Sequence, residues 1–405
     1  MTELAFESAL SLAEKIRHKE ISAVELLEFY LQRVEQYNPA LNAIIFTQIE
    51  KARQQAEGAD AALARGENWG PLHGVPMTIK DSFDWVGSPS TWGNPKLKDN
   101  YPERDTESVE RLQNAGAVIF GKTNVPEFGA GSQTFNPVFG ACLNPYDTSR
   151  TCGGSSGGAA VALACGMVPI ADGSDTGGSL RNPANFCNVV GFRTSPGRVP
   201  VHPSELGWFP ISVQGPMART VEDTALMLSV LAGPDPRVPI SLNEPGEVFR
   251  GSLERDFGGV KVAWSRDLGS FPVDDAVSLA LESQLDAFST IGCTLEHDHP
   301  DFRDADFCFK TLRAWGTASV RAALLKEHRG LIKDTVVNEI EAGLKLTAIA
   351  VGKAEEMRTI YFHRVREFME TYEFMVMPVN QVLPFDVTTE YPTEINGVQM
   401  ETYID

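Results

Sequence analysis

The sequence predicts an α/β protein, and three observations carry that expectation. Its 405 residues, 42% of them hydrophobic, are enough to bury a large core, as one big domain or two smaller ones. Short apolar runs at 43–47, 75–79, 117–120, 168–171, 260–264 and 374–378 have the length and composition of buried strands. Segments of helical periodicity lie between them, so strands and helices alternate along the chain. No internal repeat or low-complexity tract breaks the pattern.

The elements follow in order. Ser22-Ala-Val-Glu25 is a capping box, because the serine hydroxyl and the glutamate three residues on can each satisfy a free backbone N–H. It opens an amphipathic helix with Leu26, Leu27, Tyr30, Leu31 and Val34 on its apolar side. The segment from Gly153 to Gly166 reads as a glycine-rich loop and a helix whose alanines permit close packing. Gly233–Gly251, rich in Pro, Gly and Asp, is the best candidate linker. Beyond it, 275–291 and 307–372 read as mostly helical and are expected to build a lobe over the site.

Composition excludes several functions. A net charge of −19, with no lysine or arginine run, argues against a nucleic-acid partner, which needs a basic footprint. Met1-Thr-Glu-Leu-Ala-Phe-Glu7 has acid where the basic start of a signal peptide belongs. The longest near-apolar run, Ala159 to Ala171, is too short to span a bilayer. Six cysteines are too sparse for a disulfide framework and fit reduced, buried thiols in a cytoplasmic protein. Glu296-His297-Asp298-His299 is a tempting metal-ligand cluster, yet no third ligand segment is visible nearby, and it reads as a solvated polar turn before Pro300. Cys152 and Cys187 have no neighbouring histidine to activate them, so neither is expected to be a nucleophile.

The chemistry is concentrated in three segments. Asp175-Thr-Gly177-Gly178-Ser179 places a serine behind two glycines. Without Cβ atoms such a backbone turns sharply, and its N–H groups can line an anion site of the kind acyl transfer needs. The same residues also fit a plain glycine-rich turn. Cys152-Gly-Gly-Ser155-Ser156-Gly157-Gly158 is a second serine–glycine cluster. Lys80 closes the apolar run Val75-Pro-Met-Thr-Ile79, where a charged lysine is costly without a role or partner. A serine hydroxyl is a weak nucleophile and needs a base, and a buried, neutral lysine can be one. The bland alternative is an ion pair of Lys80 with Asp81 or Asp84 at the strand end.

Together these segments resemble the amidase signature family of serine hydrolases. Ile21-Ser-Ala-Val-Glu25-Leu, Asn38-Pro-Ala-Leu-Asn42-Ala, Gly116-Ala-Val-Ile-Phe-Gly-Lys122-Thr-Asn124 and Gly215-Pro-Met-Ala-Arg219-Thr-Val-Glu-Asp223 also look like that family. The resemblance is nearly continuous from about residue 12 to 233 and patchy to residue 405. It implies one amidase-signature domain over 1–405, with its core at about 12–233 and a helical lobe with returning strands at 252–405. The implied fold is a large central mixed sheet flanked by helices on both faces. Family chains usually run on past a segment like Ile395-Asn-Gly-Val, so this chain is expected to be either naturally trimmed or incomplete.

By position, the resemblance implies that Ser179 is the acylated nucleophile. Ser155 is then a bridging serine, joined to Gly154 by a cis peptide, and Lys80 is the base. Thr176, Gly177, Gly178 and Ser179 would supply oxyanion-hole N–H groups, and Gly129 a backbone carbonyl toward substrate. Ser156, Asp175 and Arg181 would support the network. The implied activity is hydrolysis of the carbon–nitrogen bond of a linear amide by a monomer or homodimer, with no cofactor, no metal, no nucleic acid and no membrane. Phe128, Phe135, Trp208 and Phe209 would suit an aryl or alkyl acyl group, or are core. Alternatives within the family are a carbamate or ester hydrolase and the glutaminase subunit of a tRNA-dependent amidotransferase, which is related, as is fatty-acid amide hydrolase. A catalytically dead scaffold is the reading from another class, and intact Lys80, Ser155 and Ser179 argue against it.

Overall fold

A computed structural model describes residues 2–405, which divide into two compact units. Of the described residues, the first comprises 2–251 and Asp386–Glu390. Its centre is a mixed sheet of six strands, in the order Ile44–Thr47, Val118–Thr123, Pro76–Lys80, Ile170–Asp175, Val213–Ala218, Val190–Gly191. The three strands Val118–Thr123, Pro76–Lys80 and Ile170–Asp175 run parallel, and antiparallel strands close both sides. The period-two alternation of a strand sends successive side chains to opposite faces. Met77, Ile79, Ile119, Ile170 and Ala218 accordingly pack with Ala9, Ala13, Val109, Leu112, Leu228 and Leu231. Val118, Phe120, Ala171 and Met217 pack with Ala23, Leu27, Ala52, Ala56 and the alanine-rich helix Gly157–Ala164. Helices therefore cover both faces, as expected.

Local chemistry accounts for the elements that hold the site. Ser22 caps helix Ala23–Leu41 with both halves of the predicted capping box. Helix Gly157–Ala164 starts so close to the sheet that a Cβ on Gly158 would lie 2.4 Å from Asn124 N and 2.5 Å from Ala43 O. Only glycine fits there, which lets the helix N-terminus, and Ser155–Ser156 before it, reach the end of the Pro76–Lys80 strand.

All six predicted strand runs are strands, with two corrections to their burial. Ile44–Thr47 is a half-buried edge, and Phe374–Val376 is partly exposed. Val213–Ala218 is a fully buried strand that the apolar-run criterion passed over, because Gly215-Pro216 interrupts it. Proline lacks an N–H, but here the two-residue edge strand Val190–Gly191 stops and Phe192 N donates to the Pro216 carbonyl, so no donor is missed. Gly233–Gly251 is anchored within the first unit. Arg111 donates to the carbonyls of Leu231, Ala232 and Pro234, and Gly246 lies against the carbonyls of Ser229 and Ala232.

The second unit comprises Ser252–Phe385 and Tyr391–Asp405. It holds a three-stranded parallel sheet, Thr294–His297, Lys261–Trp264, Phe374–Val376, and the helices Asp275–Glu282, Asp286–Thr290, Ala305–His328, Asp334–Leu344 and Ala348–Phe368. Glu296 and His297 are on a strand, not in the polar turn expected from the sequence. They pair in register with Ala263 and Trp264, while Lys261 and Tyr372 engage the Glu296 carboxylate.

Candidate active site

The site is built where the parallel strands end. Lys80, the last residue of its strand, is fully buried. Its ammonium donates to three hydroxyls: Ser155 Oγ at 2.8 Å, Ser156 Oγ at 2.8 Å and Ser174 Oγ at 3.0 Å. Burial pulls Lys80 down to about 7, against the opposing charges of Asp172 and Asp175. At neutral pH a substantial fraction is therefore the free amine. Lys80 pairs with neither Asp81 nor Asp84; Asp81 accepts from Thr91 Oγ1 at 2.7 Å instead.

Ser155 follows a cis peptide bond from Gly154. Gly154 N donates to Asn182 Oδ1 at 3.1 Å, tying this loop to helix Arg181–Phe186. Ser156 caps helix Gly157–Ala164, and its hydroxyl lies 3.5 Å from the Ser174 carbonyl. Gly129, at φ +67°, lies against Ser155: a Cβ on it would sit 3.5 Å from Ser155 Oγ. Phe128 before it is itself left-handed at φ +55° and buried.

The loop after Asp175 is organised by that carboxylate. Asp175 Oδ1 accepts from Gly178 N at 2.9 Å and Oδ2 from Leu180 N at 3.1 Å. Arg181 and Arg193 both donate to the same carboxylate. Burial would raise this carboxyl, yet the Arg181 hydrogen bonds and charge, with Arg193 behind them, hold it well below the usual range. Gly178, at φ +124°, takes a conformation that side chains rarely adopt. Its N–H is committed to Asp175, which corrects its place among the expected oxyanion donors. Among the described residues, the N–H groups of Thr176, Gly177 and Ser179 donate to no protein acceptor.

Ser179 is partly exposed, and its carbonyl accepts from Ser156 N at 3.1 Å. Among the described residues no hydrogen bond joins Ser155 to Ser179, contrary to the expected contact. The two serine loops are linked through backbone, and among the described residues the Ser179 hydroxyl is held by no protein partner. Lys80, Ser155, Ser156, Asp175, Thr176, Gly177, Gly178, Ser179, Arg181 and Gly129 are thus all in one region of the first unit. Of the aromatic residues singled out, Phe128 is packed away and Trp208 is 76% exposed.

Sequence reasoning missed Ser174, Asp172 and Arg193. Ser174 stands next to Asp175 in the motif, so the segment was in view; only the register of adjacent strands shows that its hydroxyl meets Lys80. Burial pushes the Cys187 thiol up, which removes it as a thiolate nucleophile.

The family model described as Amidase matches residues 25–405. An acylamidase of Rhodococcus erythropolis is 33% identical over 404 residues, covering 99% of this chain and 85% of that one. One of the subunits of a glutamyl-tRNA(Gln) amidotransferase from Anaeromyxobacter dehalogenans (strain 2CP-C) is 42% identical over 277 residues, or 68% of this chain; the match spans only 56% of that relative's length. A bacterial aryl acylamidase of the amidase signature enzymes superposes with a TM-score of 0.92 at 30% identity, over 98% of this chain and 86% of the other.

Proposed function

The chain belongs to the amidase signature family, and from that membership we propose that it hydrolyses the carbon–nitrogen bond of a small linear amide through an acyl-Ser179 intermediate. The observation that carries this reading is the fully buried Lys80, lowered to about 7 and aimed at serine hydroxyls. Ser179 Oγ attacks the amide carbon while its proton passes to Ser155 Oγ, a transfer that requires the two hydroxyls to close into a hydrogen bond when substrate binds, and the Ser155 proton passes to neutral Lys80. Ser155 suits the bridge because its hydroxyl has no protein acceptor among the described residues, whereas the Ser156 hydroxyl faces the Ser174 carbonyl. The oxyanion forms beside the N–H groups of Thr176, Gly177 and Ser179, where fixed donors stabilise developing charge without reorganising. The carbon–nitrogen bond then breaks as Lys80, through Ser155, returns the proton to the leaving amine. Water attacks the acyl-Ser179 by the same relay, and the acid leaves. The Gly129 carbonyl, alongside Ser155, is positioned in this reading to accept from substrate.

The acylamidase match covers 99% of this chain, and the amidotransferase match 68%. That difference favours an enzyme that works alone on acyl amides over a glutaminase subunit. No helix among the described residues is long and apolar enough to cross a membrane, and the six cysteines are free thiols.

The test is a panel of aryl and aliphatic amides, carbamates, esters and glutamine, with the purified chain alone and its Ser179→Ala variant. Turnover of amides by the wild type, loss of turnover in the variant, and loss of fluorophosphonate labelling are expected. Labelling that survives in Ser179→Ala and maps to Ser156 or a cysteine would overturn the nucleophile. Turnover of glutamine alone would move the reading to the glutaminase class.

A further inference from the structure

Resting on the lysine-base reading above, we propose that Asp172 is a positioning residue that sets the pH at which Lys80 becomes a base. The strand Ile170–Asp175 lies beside Pro76–Lys80 in the sheet. Residues two apart on a strand share a face, and Asp172 and Ser174 hold Lys80 at its two ends. Lys80 N donates to Asp172 Oδ1 at 2.7 Å, and Lys80 Nζ donates to Ser174 Oγ at 3.0 Å. Asp172 is 2% exposed, and its Oδ2 is buried with no hydrogen-bond partner among the described residues. Accepting one backbone N–H does not need a carboxylate, since an amide oxygen accepts equally well. A buried carboxyl with one idle oxygen is costly, so its charge is the feature that calls for a role.

The charges around it are few. Lys80 acts on Asp172 from the adjoining strand and Lys122 from the strand beyond it. Lys122 is faced in turn by Asp81, Asp84 and Asp105, and Lys80 by Asp175. On the other side, the strand Val213–Ala218 puts Pro216 opposite Asp172 and adds no charge there. An ionised Asp172 favours protonated Lys80; a protonated Asp172 leaves Lys80 free to be neutral. Burial raises the Asp172 carboxyl to about 7, against the Lys80 N–H and the two lysine charges, and burial brings Lys80 down to about 7. The two groups therefore titrate as a pair near neutrality. Asp172 thereby counteracts the desolvation of Lys80. It keeps the amine basic enough to take a proton from serine while allowing it to be neutral at physiological pH.

The sign follows. Removing the Asp172 charge takes an opposite charge from Lys80, so its ionisation falls and the ascending limb of kcat/KM moves to lower pH. Asp172→Asn keeps an Oδ1 acceptor for Lys80 N. We expect its limb to move down by up to about 1 pH unit, the low end of what an opposite charge does, because the carboxylate contacts the Lys80 N–H and not the ammonium, with a lower plateau because the amine is a weaker base. Asp172→Ala should move the limb the same way. The readouts are kcat/KM for an aryl amide against pH, and the pH dependence of Ser179 labelling by a fluorophosphonate, with folding checked by circular dichroism. An Asp172→Asn limb at the wild-type midpoint or above it overturns the proposal. Failure of both variants to fold also overturns it, since Asp172 would then serve the fold. Lys80→Ala separates the two levels: if the wild-type limb persists in its residual rate, the lysine-base reading itself fails and takes this proposal with it.

Discussion

Lys80 and Lys122 sit on neighbouring parallel strands, in register with Thr123 and Ile79 respectively, and both are fully buried. Burial lowers both ammonium groups, and aspartates oppose it in both. Their main acceptors differ. Lys80 donates to three hydroxyls. Lys122 donates to the Phe83 carbonyl and, at 3.3 Å, to Ser90 Oγ, with the buried Asp81 as the leading opposite charge acting on it. A hydroxyl can accept a proton on one side and release one on the other, whereas a carbonyl only accepts. Equal burial of the same residue type thus gives a candidate base at one site and an internal strut at the other. The acceptors decide which.

The largest expected effect tests that contrast directly. Wild-type kcat/KM should rise with pH through about 7, because the base works deprotonated and Lys80 loses its proton there. Lys80→Ala should lower kcat/KM by about 10²–10⁴-fold, the usual worth of a positioned base, and abolish that limb. Lys80→Arg should not restore it, since a guanidinium stays protonated. A pH–rate profile in which Lys122→Met, and not Lys80→Ala, loses the limb would reverse the assignment of the two lysines.

How much of this was legible follows from the same pair. A charged residue ending an apolar run marks Lys80 in the bare sequence, yet Ala117-Val-Ile-Phe-Gly-Lys122 carries the same mark. Only the motif context favoured Lys80, because the hydroxyls come from segments far along the chain. The glycines around Ser155 and Ser179 were visible since they are the residues that permit such turns. The commitment of Gly178 N–H to Asp175 was not visible, because it depends on how the loop folds back. Asp172 and Ser174 were hidden for a related reason: their meaning comes from which strand lies beside theirs. In the fold, apolar runs marked buried strands well, and failed where Gly215-Pro216 breaks a strand whose neighbours supply its burial.

The second effect in size concerns the bridge. Ser155 and Ser156 stand at the same 2.8 Å from Lys80 Nζ, so distance alone does not rank them. Ser155→Ala should cost about 10²-fold or more on amides, within the range for a proton-transfer group, and less on activated esters whose leaving groups need no proton. Equal losses on both substrates would point to a structural role for Ser155. A larger loss from Ser156→Ala would make Ser156 the bridge.

For Lys122 the effect should be on folding. Lys122→Met removes the cation that acts on buried Asp81 and leaves the Phe83 carbonyl without its charged donor, a loss of about 1.5–3 kcal/mol for a buried hydrogen bond to a charged group. Urea unfolding should show that loss, while the folded fraction keeps turnover within about tenfold of wild type, far above Lys80→Ala. Unchanged stability would mean that Asp81 is protonated in the folded chain, which its burial also favours.

The smallest effect should come from Ser174. Its hydroxyl is the third acceptor of Lys80, at 3.0 Å, and it is only partly buried. Unlike Ser155, it follows directly on the strand behind Asp172 and Gly173, so it can orient the ammonium but does not belong to the Ser155 loop. In Ser174→Ala, Lys80 keeps two hydroxyl acceptors, and the loss should be that of one neutral hydrogen bond, about 0.5–1.5 kcal/mol, or roughly tenfold at most in kcat. The midpoint of the pH limb should stay where it is, because Asp172 and Asp175, the charges that act on Lys80, are untouched. Steady-state kinetics of Ser174→Ala against Ser155→Ala, across the same pH range, measure the difference. If the two variants lose equal activity, the three hydroxyls act as one unit around Lys80, and the distinction between a relay serine and an orienting serine disappears.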